Sequence, residues 1–228
     1  MFRWLIGTIA LSMMATGALA ADPVEIHIGY LGHAGVKSTL SLVEQPADND
    51  GIAGARLAIE DNNTTGKFLN QRFTLDEVKV KDSDDVARVA TDLAGRNDYI
   101  ITDLPADALL KVADALRDRG TVLLNAGAID DRLREQDCRA NIIHVAPTRS
   151  MLADALGQYL VWKQWKRWLL VAGSHDQDKL YADALRRAAI RFGAKIVQER
   201  TFEDTGGARR TDSGVTLIQR QMPVFTQQ

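Results

Sequence analysis

Apolar and polar positions follow two distinct rhythms along this chain. Val24, Ile26, Ile28 and Tyr30 alternate with Glu25, His27 and Gly29, the period of two that predicts a strand. From Asp50-Gly51 the period lengthens: Ile52, Ala55, Ile59 and neighbouring alanines share one helical face. The polar run Asp61-Asn62-Asn63-Thr64-Thr65-Gly66 is expected to end that helix. Phe73, Leu75, Val78 and Val80 predict a second strand. Ser83 or Asp84 then caps a helix whose Val86, Val89, Ala90 and Leu93 fall at i, i+3, i+4 and i+7.

The alternation continues. Tyr99 to Thr102 reads as a buried strand, and Pro105 stands where a first helical turn tolerates it. Leu109, Val112, Ala113 and Leu116 form the next apolar helix face, which Gly120 ends. Val122-Leu123-Leu124 and Ile142-Ile143-His144-Val145 are two short strands. Leu152, Ala155, Leu156, Tyr159 and Leu160 make the clearest helical stripe in the chain. Trp168 to Ala172 is a strand, Leu180 to Phe192 a helix, and Lys195 to Val197 opens another strand. Such alternation predicts an α/β protein of parallel sheets flanked by helices, joined by right-handed crossovers. Ligands of these sheets gather outside the carboxyl ends of the strands. The loops after Tyr30, Thr102, Asn125, Val145 and Ala172 are therefore the places to seek a site.

Composition narrows the classes. The 228 residues are 46% hydrophobic and 25% charged with a net charge of −2, which excludes wholesale disorder and gives no basis for coating nucleic acid. Arg3, the apolar run Trp4 to Met14 and Ala18-Leu19-Ala20 have the order of a secretory signal peptide over residues 1–20, cleaved before Ala21. That run is shorter than the roughly 20 apolar residues of a spanning helix, so no stable membrane insertion is expected after its removal. A single cysteine, Cys138, excludes a disulfide framework and is expected to be buried and inert. Residues 21–147 carry a net charge of −8 and residues 148–228 one of +5, a shift that places a lobe boundary near Pro147.

Candidate chemistry is sparse. Gly29, Gly32 and Gly35 follow a strand, but their spacing is not that of a dinucleotide turn, and a flexible loop is expected. Asp82, Asp84 and Asp85 cluster at a helix start, where carboxylates cap. His175-Asp176-Gln177-Asp178 reads as a solvated loop, and His27, His33 and His144 form no triad. Trp162, Trp165 and Trp168 are expected to pack between helix and strand rather than to stack bases. No catalytic set, metal site or cofactor is expected.

Three segments carry a family resemblance. Gly51-Ile52-Ala53-Gly54-Ala55-Arg56-Leu57-Ala58-Ile59-Glu60-Asp61-Asn62-Asn63 is similar to the first helix of the type I periplasmic solute-binding proteins that serve ABC transporters. His144-Val145-Ala146-Pro147-Thr148-Arg149-Ser150 resembles that family's crossing into its second lobe, and Ser174 to Tyr181 its loop after the first second-lobe strand. Within the family, Cys138-Arg139-Ala140-Asn141 through Asp154-Ala155-Leu156-Gly157-Gln158-Tyr159-Leu160 most resembles the branch associated with pyrroloquinoline-quinone-dependent alcohol oxidation.

The resemblance implies a first α/β lobe over residues 21–147 and an incomplete second lobe over 148–228, so that the chain is expected to be a fragment of a longer protein. It implies a non-enzymatic periplasmic component that captures a small-molecule solute between its lobes and passes it to an ABC transporter permease. A periplasmic sensory or interaction module, or a periplasmic enzyme linked to alcohol oxidation, remains open. The Ser and Thr hydroxyls with which amino-acid-binding members hold their ligand would fall at Leu104-Pro105 and Ala126-Gly127-Ala128, where this chain has none. Backbone groups of Ala126, Gly127 and Ala128, with Asp103, Asn125 and Asp130 nearby, are the implied first-lobe contacts, and Tyr181 the second-lobe one.

Overall fold

Five strands, β1 (Val24–His33), β2 (Gln71–Val80), β3 (Tyr99–Asp103), β4 (Val122–Asn125) and β5 (Ile142–His144), pair in parallel in the order β2-β1-β3-β4-β5. The computed structural model describes residues 22–34, 47 and 49–202. The signal segment and the stretch Val36 to Pro46 lie outside the described residues, as do Val215, Ile218 and Met222, whose spacing in the sequence suggests a further helix. Helices α1 (Asp50–Leu69), α2 (Val86–Ala94) and α3 (Ala106–Ala115) supply the first three crossovers, and a 3-10 helix, Asp131–Arg134, lies between β4 and β5. The chain then forms α4 (Arg149–Trp162), β6 (Arg167–Gly173), α5 (Asp176–Phe192) and β7 (Lys195–Phe202), with β6 and β7 paired in parallel.

The pleat sorts neighbouring residues to opposite faces. Leu31 joins Leu93, Ile100, Leu109, Val112, Leu116 and Leu123 in the core beneath α2 and α3. Tyr30 joins Ile52 and Ala55 beneath α1 on the other face. Each such leucine contributes about 2 kcal/mol by leaving water, and truncation of Leu123, wholly buried, is expected to cost roughly 3 kcal/mol. From β1 the chain runs outward to β2 and then returns across β1 to β3. The crevice where this order reverses opens at the carboxyl ends of β1 and β3.

Several local expectations are corrected. Helix α1 does not stop at the polar run but spans 20 residues to Leu69, with Asn70 at φ 52° closing it. Asn63 makes this possible by exchanging two hydrogen bonds with the backbone of Phe73, at 2.9 and 2.8 Å. Gly66 meets the Gln71 carbonyl so closely that a Cβ there would lie 2.7 Å from its oxygen. Asp85, rather than Ser83 or Asp84, caps α2 by accepting from the Arg88 amide at 3.2 Å. Gly29 and Gly32 lie within β1, which continues to His33. Residues 176–178 open α5 instead of forming a loop, and Cys138 is exposed, in a turn after the 3-10 helix.

The α4 stripe is the largest departure. The residues α4 buries are Arg149, Ala153 and Gly157. Ala153 packs against Ala184 and Ala188 of α5, and Gly157 lets Trp168, Ala188 and Phe192 approach within 3.2–3.3 Å of where a Cβ would stand. Small side chains allow the helix axes to come close, so the larger Leu152, Leu156 and Tyr159 face outward. Trp162 and Trp165 are likewise exposed, although the Trp168 indole donates to the Trp165 carbonyl at 2.6 Å.

Candidate functional site

The carboxyl ends of β1, β3 and β4 border a cavity of about 560 Å³, which Gln177 of α5 also borders. This volume lies in the range of small-ligand sites. His33 ends β1, Asp103 ends β3, Leu104 and Pro105 lead into α3, and Gly127 to Asp130 follow β4. Pro105 is the N-cap of α3, with extended backbone, so it turns the chain sharply at the rim.

Asp103 is the polar centre of the floor. Its Oδ2 accepts the Tyr30 hydroxyl at 3.0 Å. Burial, then the charge of Asp103 and its hydrogen bond, raise the Tyr30 phenol far above its ordinary value, so it remains a donor. Gly51 and Gly127 leave room for the carboxylate: a Cβ on Gly51 would lie 2.6 Å from Oδ2, and one on Gly127 2.6 Å from Oδ1.

The wall after β4 is shaped by Asn125, which is 1% exposed. Its Nδ2 donates to the Ala128 carbonyl at 2.8 Å, and its Oδ1 accepts the Ala128 amide at 2.9 Å. That exchange folds residues 126–128 into a tight turn at the cavity edge. Asn125 Nδ2 also lies 3.0 Å from His144 Nδ1. Burial, then the charge of Arg134, lower the His144 pKa below 6.5, which fits a neutral ring accepting through Nδ1.

Arg149 stands behind this wall. It is 3% exposed, opens α4, and donates through Nη2 to Gln177 Oε1 at 2.5 Å. The same nitrogen lies 3.6 Å from Asp130 Oδ2, while the buried Nε finds no acceptor among the described residues. Its amide donates to the Ile129 carbonyl at 2.7 Å. A buried guanidinium thus ties the turn after β4 to α5. Arg132, at the rim, is paired with Asp107 and, at 2.7 Å, with Asp137.

The sequence-derived candidates divide accordingly. Asp103, Gly127, Ala128 and Asp130 border the cavity. Asn125 is not among the bordering residues; its side chain is committed to the turn that shapes this wall. Ala126 is exposed, its amide held by the Thr102 carbonyl at 2.9 Å. Tyr181 is half-buried on α5 and is not among the bordering residues; Gln177, one helical turn earlier, is. Tyr30 and Arg149 were not named as site residues from the sequence, and Gln177 entered only within the stretch His175 to Asp178, read as a solvated loop. No group of three or more His, Cys, Asp or Glu among the described residues is placed to hold a metal ion.

A family model described as "Periplasmic binding protein" matches residues 33–212. No curated protein matches the chain. Among solved structures, a branched-chain amino acid ABC transporter periplasmic ligand-binding protein of Burkholderia xenovorans is similar, at 20% identity and a TM-score of 0.61 over 82% of this chain and 48% of that one. An ABC transporter substrate-binding protein of Desulfitobacterium hafniense gives 19% identity and a TM-score of 0.60 over 81% of this chain and 52% of that one. The branched-chain amino acid transporter substrate-binding protein LivJ of Streptococcus pneumoniae, in complex with isoleucine, gives 17% and 0.55 over 79% and 50%. At these identities the likeness is one of fold. The chain spans about half the length of these structures.

Proposed function

From the premise that the chain belongs to the periplasmic binding protein family, we propose that it captures a small solute in the cavity between β3, β4 and α5. The observation that carries this reading is the placement of that cavity, at the switch point of a doubly wound sheet and bordered also by Gln177 of α5. Asp103, Gly127, Ala128 and Asp130 form one wall, and movement of α5 toward them closes the other, as hinged lobes close on ligands. Residues 21–147 and 148–228 are the two lobes. Residues 1–20 direct export, and the site of action is the periplasm. The loaded protein delivers its solute to an ABC transporter permease without chemical turnover. The likeness of Cys138 to Leu160 to its branch of the family supports a role beside pyrroloquinoline-quinone-dependent alcohol oxidation.

Thermal denaturation of the chain against a panel of amines, alcohols, carboxylic acids and quinones tests this reading. A specific solute at 100 times its dissociation constant is expected to add about 2.7 kcal/mol of stability and to be recovered unchanged. Stabilisation by no member of the panel, or conversion of a bound member to product, counts against capture.

A further inference from the structure

The charges around the cavity are unequal. Asp103, Asp107 and Asp130 border it, and the sole guanidinium among the described residues that border it, Arg132, is held by Asp107 and Asp137. Arg149 is buried behind Asp130 and engaged by Gln177. Asp103 differs from the other carboxylates. Among the described residues its side chain receives the neutral Tyr30 hydroxyl and no cation. Nor are the nearby helix ends left to answer its charge: Asp50 occupies the first turn of α1 and Asp107 that of α3.

Asp103 is also held in place. Its two oxygens rest over Gly51 and Gly127, each too close for a Cβ, and the Tyr30 hydroxyl fixes one of them. A half-buried carboxylate fixed this way attracts a cationic donor more strongly than a free surface carboxylate does, because screening is weaker and no reorganisation is needed. Exposed Pro105, with the edges of the buried Leu104 and Ala128 beside it, offers apolar surface for a carbon skeleton.

We propose that the recognition group of the captured solute is a protonated amine seated on the Asp103 carboxylate, its carbon skeleton lying against Leu104, Pro105 and Ala128. This rests on the capture reading and narrows it to amine-bearing solutes.

The test uses n-butylamine, n-butanol and butyrate, matched in size and differing in charge, at constant ionic strength. Binding is read from amide NMR shifts of Leu104, Gly127 and Ala128, a measurement that registers weak complexes. Butylamine is expected to move these resonances saturably and to bind at least tenfold more tightly than butanol or butyrate. Asp103→Asn is expected to weaken butylamine at least tenfold. Gly127→Ala, whose methyl displaces the carboxylate, is expected to do the same should Asp103→Asn fail to fold. Equal affinity for butanol or butyrate, or butylamine binding unchanged in a folded variant, overturns the amine assignment and leaves capture standing. Failure of these probes together with the whole solute panel overturns capture as well.

Discussion

Arg149 and Gln177 meet at 2.5 Å although neither belongs to the five-stranded sheet, whose strand ends and the segments that follow them form most of the cavity wall. Their contact brings a buried cation to within 3.6 Å of Asp130. Removing one member of such a group strands the others. Arg149→Met is expected to lower unfolding stability by about 2 kcal/mol, less than for a fully enclosed pair because Asp130 retains some solvent. Arg149→Lys, a point charge without the planar fork, is expected to recover little of it. Urea denaturation of the three proteins measures this, and an Arg149→Met midpoint equal to that of the parent refutes it.

Asn125→Ala removes both hydrogen bonds to Ala128 and leaves a buried amide without its acceptor. The expected cost is about 2–3 kcal/mol, with loss of solute binding following from loss of the turn. Asn125→Asp keeps the acceptor and loses the donor, so it is expected to be intermediate. Chemical denaturation in parallel with solute titration separates the two effects. Weakened binding at undiminished stability would identify Asn125 as a direct contact.

His144 gives the protein an acid-sensitive element. Its folded pKa lies below 6.5 because of burial and the Arg134 charge. The unfolded chain therefore takes up the proton first as pH falls. The contribution is complete above 6.5 and is lost as pH drops through the folded value. Melting temperature is expected to fall over that range in the parent protein and to fall less in His144→Gln, which retains an acceptor for Asn125. Identical pH profiles for the two would remove His144 as the source.

Hydrogen exchange is expected to divide the chain near Pro147. Strands β3 and β4 sit over large buried side chains, whereas α4 and α5 meet through Ala153, Ala184 and Ala188 above a two-stranded sheet. A pair of strands with so small an apolar layer is marginal on its own. Amides of β3 and β4 are expected to exchange at least tenfold more slowly than those of β6 and β7. Uniform protection across all four strands contradicts this.

Much of the first sheet was legible from period and punctuation. Ile26 to Tyr30, Phe73 to Val80, and the i, i+3, i+4, i+7 set from Val86 to Leu93 fall in the elements their spacing predicts, with both sheet faces covered: Leu75 packs with Tyr30, while Val78 and Val80 join Leu31 on the other side. Asn63 escaped because its partner is the backbone of Phe73, a contact that no local polarity scale contains. The α4 stripe misled because burial there follows closeness of approach, and Ala153 and Gly157 allow more of it than leucines do. Asp103, Gly127, Ala128 and Asp130 were reachable from the strand-end rule. Gln177 was not, because which turn of α5 faces the cavity depends on a helix start placed by tertiary structure. Its trace in the sequence was its position one turn before Tyr181, on the same helical face.

The strand order also sets an order of manufacture. β1, made first, lies between β2 and β3, and every strand of the five-stranded sheet precedes residue 145. A chain appearing N-terminus first, from a ribosome or through an export channel, can thus complete that sheet from what has already emerged. At about 5–20 residues per second, synthesis from the end of β5 at His144 to the end of β7 at Phe202 takes roughly 3–12 s. Asp103, Gly127 and Asp130 can reach their final places in that interval, and α5 arrives to find that wall of the cavity already shaped.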